Sequence, residues 1–394
     1  MSVEAARAAM LAYAAPLGSE ERPLAGARGR VLAADIIAPR AQPPFAASAM
    51  DGWAARAADT PGTLRVVGES AAGHGYAGEV GAGEAVRVFT GAAVPSGADT
   101  VVIQEEATRD GEAVSVPASE PGHHVRPAGQ DFRAGDVLLA AGVRLDPWRL
   151  ALAAAAGMAR LSVFRRPRVA VLATGEEVVA PGDPVGPFQI YNSGTSALCA
   201  LIERLGGDPI ALAIAGDDED AIAAAVAGAG GDVVVTIGGA SVGDHDLVKP
   251  ALARLGLELG VESVALRPGK PTWFGHLADG RRVLGLPGNP ASALVCAELF
   301  LRPLLAALEG ADPALPLFAA RAGVALPANG DREHWMRAAL QHGPAGDLTA
   351  HPFPDQDSSL VTVFARADAL LRRAPGARAV AAGEPVDVLA LGRL

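Results

Sequence analysis

Residues 233–246 read Val233-Val234-Val235-Thr236-Ile237-Gly238-Gly239-Ala240-Ser241-Val242-Gly243-Asp244-His245-Asp246. The β-branched run 233–237 predicts a buried strand. It empties into Gly238 and Gly239, then Ser241, Gly243 and the carboxylates Asp244 and Asp246. Glycines let backbone N–H groups approach an anion closely, and a hydroxyl with carboxylates beside them orders a phosphate and its metal.

Working outward, residues 168 to about 310 alternate strand-like and helix-like segments. Strand 169–173 leads into Thr174-Gly175-Glu176-Glu177, and strand 210–214 into Gly216-Asp217-Asp218. Strand 261–266 leads into Arg267-Pro268-Gly269-Lys270-Pro271, and strand 282–286 into Pro287-Gly288-Asn289-Pro290. Helices are expected at 195–205, 219–229, 246–255 and 291–308, the first with Asn192 and Ser193 as cap candidates. This alternation predicts a doubly wound, mostly parallel α/β sheet whose ligands bind beyond the carboxyl ends of the strands. Five such ends carry Gly, Pro, Asp, Glu, Lys or Asn.

The flanks read differently. A helix opens the chain, with Val3, Ala6, Met10 and Leu11 on one face, and 29–37 predicts a strand. Residues 62–140 are β-rich, with Gly punctuating every eight to twelve residues. A helix follows over 147–160. Residues 313–394 form a further β-rich region, with strands expected at 321–325, 335–340, 369–372 and 386–391.

Composition bounds the function. The chain has 394 residues, 33 Lys and Arg against 44 Asp and Glu, and a net charge of −11, which argues against a general nucleic-acid binder. The two cysteines, Cys199 and Cys296, sit apart in apolar helical patterns and read as buried small hydrophobes. No apolar run reads as a membrane span, because 291–308 contains Glu298 and Arg302. A soluble, cytoplasmic protein is expected. Lysine occurs only at Lys249 and Lys270, both near the glycine loop. The pair His123-His124 lacks a third ligand at useful spacing. No nucleophile constellation, Walker A sequence or nucleic-acid motif is present.

Glu177, Asp217 and Asp246 follow three different strands, and a parallel sheet would bring them to one rim. Carboxylates so placed suit Mg²⁺, which takes oxygen ligands and shares its shell with substrate phosphates. Each carboxylate alone reads equally as a helix cap or a solvated loop residue. The stiff turns 268–271 and 287–290 would hold Lys270 and backbone N–H groups toward an anion, beside the positive N-terminus of helix 291–308.

Five segments carry a resemblance: Ser48-Ala49-Met50-Asp51-Gly52-Trp53-Ala54, Thr90-Gly91-Ala92, Thr174-Gly175-Glu176-Glu177, Gly238 through Asp246, and Pro268-Gly269-Lys270-Pro271 with Leu286-Pro287-Gly288-Asn289-Pro290. In this order they resemble the molybdopterin molybdenumtransferase family, the bacterial MoeA proteins and gephyrin E-domains. Trp53 stands where the family usually has Tyr, Ala240 where Val or Thr is usual, and Ser263 where some members are basic.

The resemblance implies a discontinuous N-terminal domain over 1–37 and 136–166, and a β-rich inserted domain over 38–135. It implies an α/β molybdopterin-binding domain over 167–312, like the molybdopterin adenylyltransferases, and a C-terminal β-barrel over 313–394. It implies a homodimer with shared active sites and no nucleic-acid or membrane partner. The implied reaction inserts molybdate into adenylylated molybdopterin, with Mg²⁺-dependent hydrolysis releasing AMP. Asp51, Thr90, Asp131, Lys270 and Arg267 would be catalytic, and Glu177, Asp217 and Asp246 would hold the metal. Gly175, Gly238, Gly239, Ser241, Gly243, Pro287, Gly288, Asn289 and Arg337 would bind the substrate. Molybdopterin adenylyltransferase and molybdoenzyme-maturation proteins are candidate partners. Two other activities fit parts of the pattern: adenylylation of molybdopterin by the α/β domain, and a gephyrin-like peptide-binding scaffold.

Overall fold

A computed structural model describes residues 1–239, 247–343 and 346–392. It divides into two compact units. One comprises Met1–Glu21, Gly29–Ala33 and Ser162–Leu394, and the other Arg22–Arg28 and Ala34–Leu161.

The first unit is built on a six-stranded sheet. Its strand order is Asp208–Ala211, Arg168–Ala173, Val233–Ile237, Arg282–Leu286, Trp273–His276 and Glu258–Val261. The first four run parallel, and Trp273–His276 is antiparallel to both of its neighbours. All five residues of Val233–Ile237 are buried because both faces are covered. Val233, Val235 and Ile237 pack with Leu198 and Ile202 of the helix Ser193–Arg204, and with the apolar helical segment 290–308. Ala170, Leu172 and Val234 face Ile222 and Val226 of the helix Glu219–Gly228 and Leu252 of Val248–Ala253. Helices on both faces explain why these strands are apolar throughout rather than alternating. The N-terminal helix Val3–Leu11 adds Val3, Ala6 and Met10 to the first core.

Segment 290–308 is long and apolar enough to cross a membrane, but 78% of it is buried as a core helix. A π-turn, Ala297–Leu301, carries Glu298 into the interior, where Arg204 and Arg302 pair with it. Cys296 is buried as expected. Its thiol is pushed up to about 12 by burial, against a hydrogen bond from Thr272 Oγ1.

The C-terminal part of this unit is a closed five-stranded barrel. Glu333–His342, Leu348–Pro352, Leu317–Ala322, Pro385–Ala390 and Ala369–Arg373 pair in that order, and the last returns to the first. Ala338, Leu371, Val388 and Ala350 fill it. The second unit contains a six-stranded sheet in the order Thr100–Ile103, Gly52–Ala55, Glu84–Val88, Gly62–Ser70, Ala113–Val116 and Thr108–Asp110.

Several expectations are corrected. Residues 29–37 contain only the two-residue strand Ile36–Ile37, because Gly29 is left-handed and Val31 and Leu32 make only isolated bridges, that of Leu32 being to Val163. The segment 261–266 is not one strand. Glu258–Val261 ends the α/β sheet, and Leu266–Arg267 joins the barrel strand Glu333–His342. Trp273–His276, Leu348–Pro352 and the short helix Val361–Arg366 carried no recognised pattern. The helix expected over 147–160 stops at Ala155, and Arg160–Phe164 is a strand.

Candidate active site

The strand order fixes where a ligand can enter. Arg168–Ala173 comes first in the chain, yet the second and third strands lie on opposite sides of it. The two connections leave in opposite directions, and ligands of such sheets bind at this switch point, beyond the carboxyl ends of the strands. Thr174, Gly175, Gly238 and Gly288 surround it. Thr174 N–H donates to Ile237 O at 3.1 Å, Gly175 N–H to Ala215 O at 3.2 Å, and Gly238 N–H to Leu286 O at 3.2 Å, so four strand ends are laced laterally. Gly238 has φ +94°, and a Cβ there would lie 2.9 Å from Thr174 Oγ1. A Cβ on Gly288 would lie 3.6 Å from Gly238 Cα. At Gly239, φ is +59° and a Cβ would meet Val248 Cγ2 at 2.1 Å. At Gly238 and Gly239 only glycine allows this backbone approach, whereas the Gly288 contact is an ordinary one.

Crossover helices begin at the same rim. Asn192 caps Ser193–Arg204 by accepting from Thr195 N–H at 3.0 Å. Asp218, not Asp217, caps Glu219–Gly228, accepting from Asp220 N–H at 2.8 Å. Asp217 is therefore left exposed, and its carboxylate makes no hydrogen bond among the described residues. Glu177 is exposed likewise, and Gly175 at φ +124° leaves room for its carboxylate to fold back. Asn289 precedes Pro290–Cys296 without capping it. Its amide donates to Ser358 Oγ at 2.9 Å instead.

The turn before Trp273 lies at this end of the sheet because Trp273 pairs with Gly285, one residue from the end of its strand. Lys270 on this turn is exposed. Gly269 packs so closely that a Cβ would stand 2.2 Å from Cys296 Sγ. Arg267 turns to the barrel, in register with His334. Arg337 is fully buried rather than displayed on the rim. Its guanidinium donates to Gln356 Oε1 at 3.3 Å and to Asp357 O at 2.9 Å, which braces the loop that carries Ser358. Burial lowers its pKa against the opposing pull of Asp355 and Asp357. Sequence reasoning missed Gln356 and Ser358. Their only signal is the polar run 355–359 between apolar strands.

In the second unit, Asp51 Oδ1 accepts from Thr90 N–H at 2.7 Å and from Thr90 Oγ1 at 2.8 Å. These two bonds hold its carboxyl below the usual range. Asp131, Gly91 and Arg126 line one cleft of about 610 Å³ with Gln42 and Phe45. Ser241, Gly243 and Asp246, with the rest of 240–246, lie outside the described residues.

Three family models match the chain: "MoeA N-terminal region (domain I and II)" over residues 1–157, "Probable molybdopterin binding domain" over 170–307, and "MoeA C-terminal region (domain IV)" over 319–391. The Haemophilus influenzae protein named molybdopterin molybdenumtransferase is 34% identical over 98% of both chains. The chain belongs to the MoeA family. Molybdopterin molybdenumtransferase 2 of Mycobacterium tuberculosis is 38% identical over 93% of both chains. A crystal structure of a molybdopterin biosynthesis MoeA protein from Pyrococcus horikoshii superposes with TM-score 0.81 at 27% identity, covering 99% of each chain. A second such structure, attributed to Pyrococcus horikosii, gives TM-score 0.84 at 34% identity, covering 99% of this chain and 98% of its own.

The predicted residues distribute over the three MoeA regions. Asp51, Thr90 and Asp131 fall in the N-terminal region, the switch-point glycines with Glu177, Asp217, Lys270 and Asn289 in the molybdopterin-binding region, and Arg337 in the C-terminal region.

Proposed function

We propose that this MoeA-family chain is a molybdenum insertase of molybdenum cofactor biosynthesis. It takes adenylylated molybdopterin and molybdate, hydrolyses the pyrophosphate link, and releases AMP. The observation that carries this reading is the cluster of glycines at the switch point, where Gly175, Gly238 and Gly288 bring the strand ends close together beside helix N-termini, the backbone arrangement that suits phosphates. Gly239, Ser241 and Gly243 would continue that surface, and Pro287 and Asn289 would bound it. Lys270 supplies positive charge against phosphate and molybdate. Arg267 contributes to the same field from the barrel side.

The donor set suits Mg²⁺. Glu177 and Asp217 are exposed carboxylates without hydrogen bonds among the described residues, on loops joined by the Thr174–Ala215 bridge. One or two carboxylates plus substrate phosphates is the usual provision for this ion. Glu177, Asp217 and Asp246 would hold it, and when bound it supplies charge neutralisation for phosphate cleavage. Asp51, fixed by Thr90, and Asp131 position water or substrate. We infer a cytoplasmic homodimer in which the insert of a second copy supplies these three residues. Molybdopterin adenylyltransferase would hand over the adenylylated pterin, and maturation proteins would receive the product.

Purified protein given adenylylated molybdopterin, molybdate and Mg²⁺ should release AMP and yield cofactor that activates an apo-molybdoenzyme. Asp217→Ala should lower the rate at least about tenfold and raise the Mg²⁺ concentration needed, with pterin binding retained. Unchanged Mg²⁺ dependence would remove Asp217 from the metal set. Accumulation of adenylylated product from ATP and molybdopterin would replace the reading with adenylyl transfer.

A further inference from the structure

Three basic side chains share one row across the barrel's edge. Arg267 is in register with His334, and His334 is in register with Arg373 on the opposite strand. Residues in register project to the same face, with neighbouring strands about 5 Å apart. Arg332 lies in the bend just before the strand of His334, and its charge also acts on the His334 imidazole. The face shared by Arg267, His334 and Arg373 is the inward face of the barrel. Met336 and Ala338, and Ala369 and Leu371, continue the same alternation into the barrel core. The row therefore stands at the mouth of the barrel.

Among the described residues no carboxylate forms a salt bridge with Arg267, Arg332 or Arg373. Glu333, next to His334, points to the other face, where it pairs with Arg372 at 3.0 Å and accepts from Trp335 Nε1 at 2.9 Å. Arg267 and Arg332 are exposed and make no ion pair among the described residues. Arg373 is 4% exposed. Its one terminal nitrogen donates to Pro327 O at 2.9 Å and Arg378 O at 2.6 Å, while the other is buried with no partner. His334 is pushed down to about 4 by burial and then by Arg267, Arg337, Arg332 and Arg373. Every charge acting on this imidazole has the same sign. Like charges directly opposite on neighbouring strands repel, and a cationic row in a barrel mouth is relieved by an anion.

We propose that the barrel mouth formed by Arg267, Arg332, His334 and Arg373 is a binding site for a tetrahedral oxyanion. The exposed guanidinium groups of Arg267 and Arg332 would make the contacts, and Arg373 supplies the field from beneath. The site shares Arg267 with the field assigned to the switch-point crevice, whereas Arg332, His334 and Arg373 belong to the barrel mouth alone, so loss of oxyanion binding in Arg332→Gln with AMP release retained separates the two.

His334 is its own reporter. In full-length protein carrying ring-labelled histidine, the His334 titration is followed by NMR with inorganic phosphate, with molybdate, and with chloride at matched ionic strength. A bound oxyanion opposes the arginine field, so the His334 pKa should rise by about one unit or more while the remaining histidines stay put. A response to phosphate assigns the mouth to a phosphate-bearing ligand, and a response to molybdate alone assigns it to the metal oxyanion. Arg332→Gln, at an exposed position, should abolish most of the shift without changing the melting temperature. No shift at tens of millimolar oxyanion, an equal shift with chloride, or a full shift in Arg332→Gln would each overturn the proposal.

Discussion

A single methyl group tests the crevice at the scale of one residue. Gly238→Ala places a Cβ 2.9 Å from Thr174 Oγ1 on a backbone with φ +94°. A left-handed alanine with a close contact should cost about 1–3 kcal/mol, read as a lower urea midpoint at unchanged slope. AMP release should fall further than stability does. Gly216→Ala is the matching control, because nothing stands within 4 Å and its φ is not left-handed. It should leave both measurements unchanged. The two glycines look alike in the sequence, since each follows a strand. Only the neighbour across the rim separates them. The same holds for Asp217 and Asp218. Both precede a helix, and only the turn geometry spends Asp218 on the cap.

At the scale of elements, the sheet divides its work between its ends. The end opposite the crevice is tied by Asp232, immediately before Val233–Ile237. Arg165 grips its carboxylate at 2.9 and 2.5 Å, and Arg168 N–H donates to it at 2.9 Å. Burial pushes this carboxyl up, but the Arg165 and Arg168 bonds prevail and hold it below the usual range. A group depressed in the folded state adds stability above its unfolded pKa of about 3.9, and that stability is lost as pH falls through the folded value. Wild-type protein should therefore lose stability between about pH 5 and pH 3 more steeply than Asp232→Asn. At pH 7 the variant should be less stable by about 2 kcal/mol, measured by urea denaturation. An equal acid slope in both proteins would remove Asp232 from this role. The strand itself was legible because burial on both faces demands an unbroken apolar run. The pairing of Asp232 with Arg165, 67 positions away, was not.

At the scale of the whole molecule, the homodimer proposal makes its own prediction. Asp51→Ala and Asp217→Ala chains, each reduced at least about tenfold alone, should regain roughly a quarter of wild-type activity when mixed and allowed to exchange subunits, because half the dimers would be mixed and each would hold one intact site. No recovery in demonstrably mixed dimers would place Asp51 and Asp217 on the same chain's site. The sequence by itself determined the α/β alternation, the glycine-rich strand ends and the family, because buried strands, turns and caps are set by local composition and period. Tertiary structure decided that Trp273–His276 runs against its neighbours, that Arg337 is buried behind the Ser358 loop, and that Arg267, His334 and Arg373 form one row. Strand direction, register and barrel closure are relations between segments far apart in the chain. Each is fixed by which hydrogen bonds and packed faces are satisfied together, which no local stretch encodes.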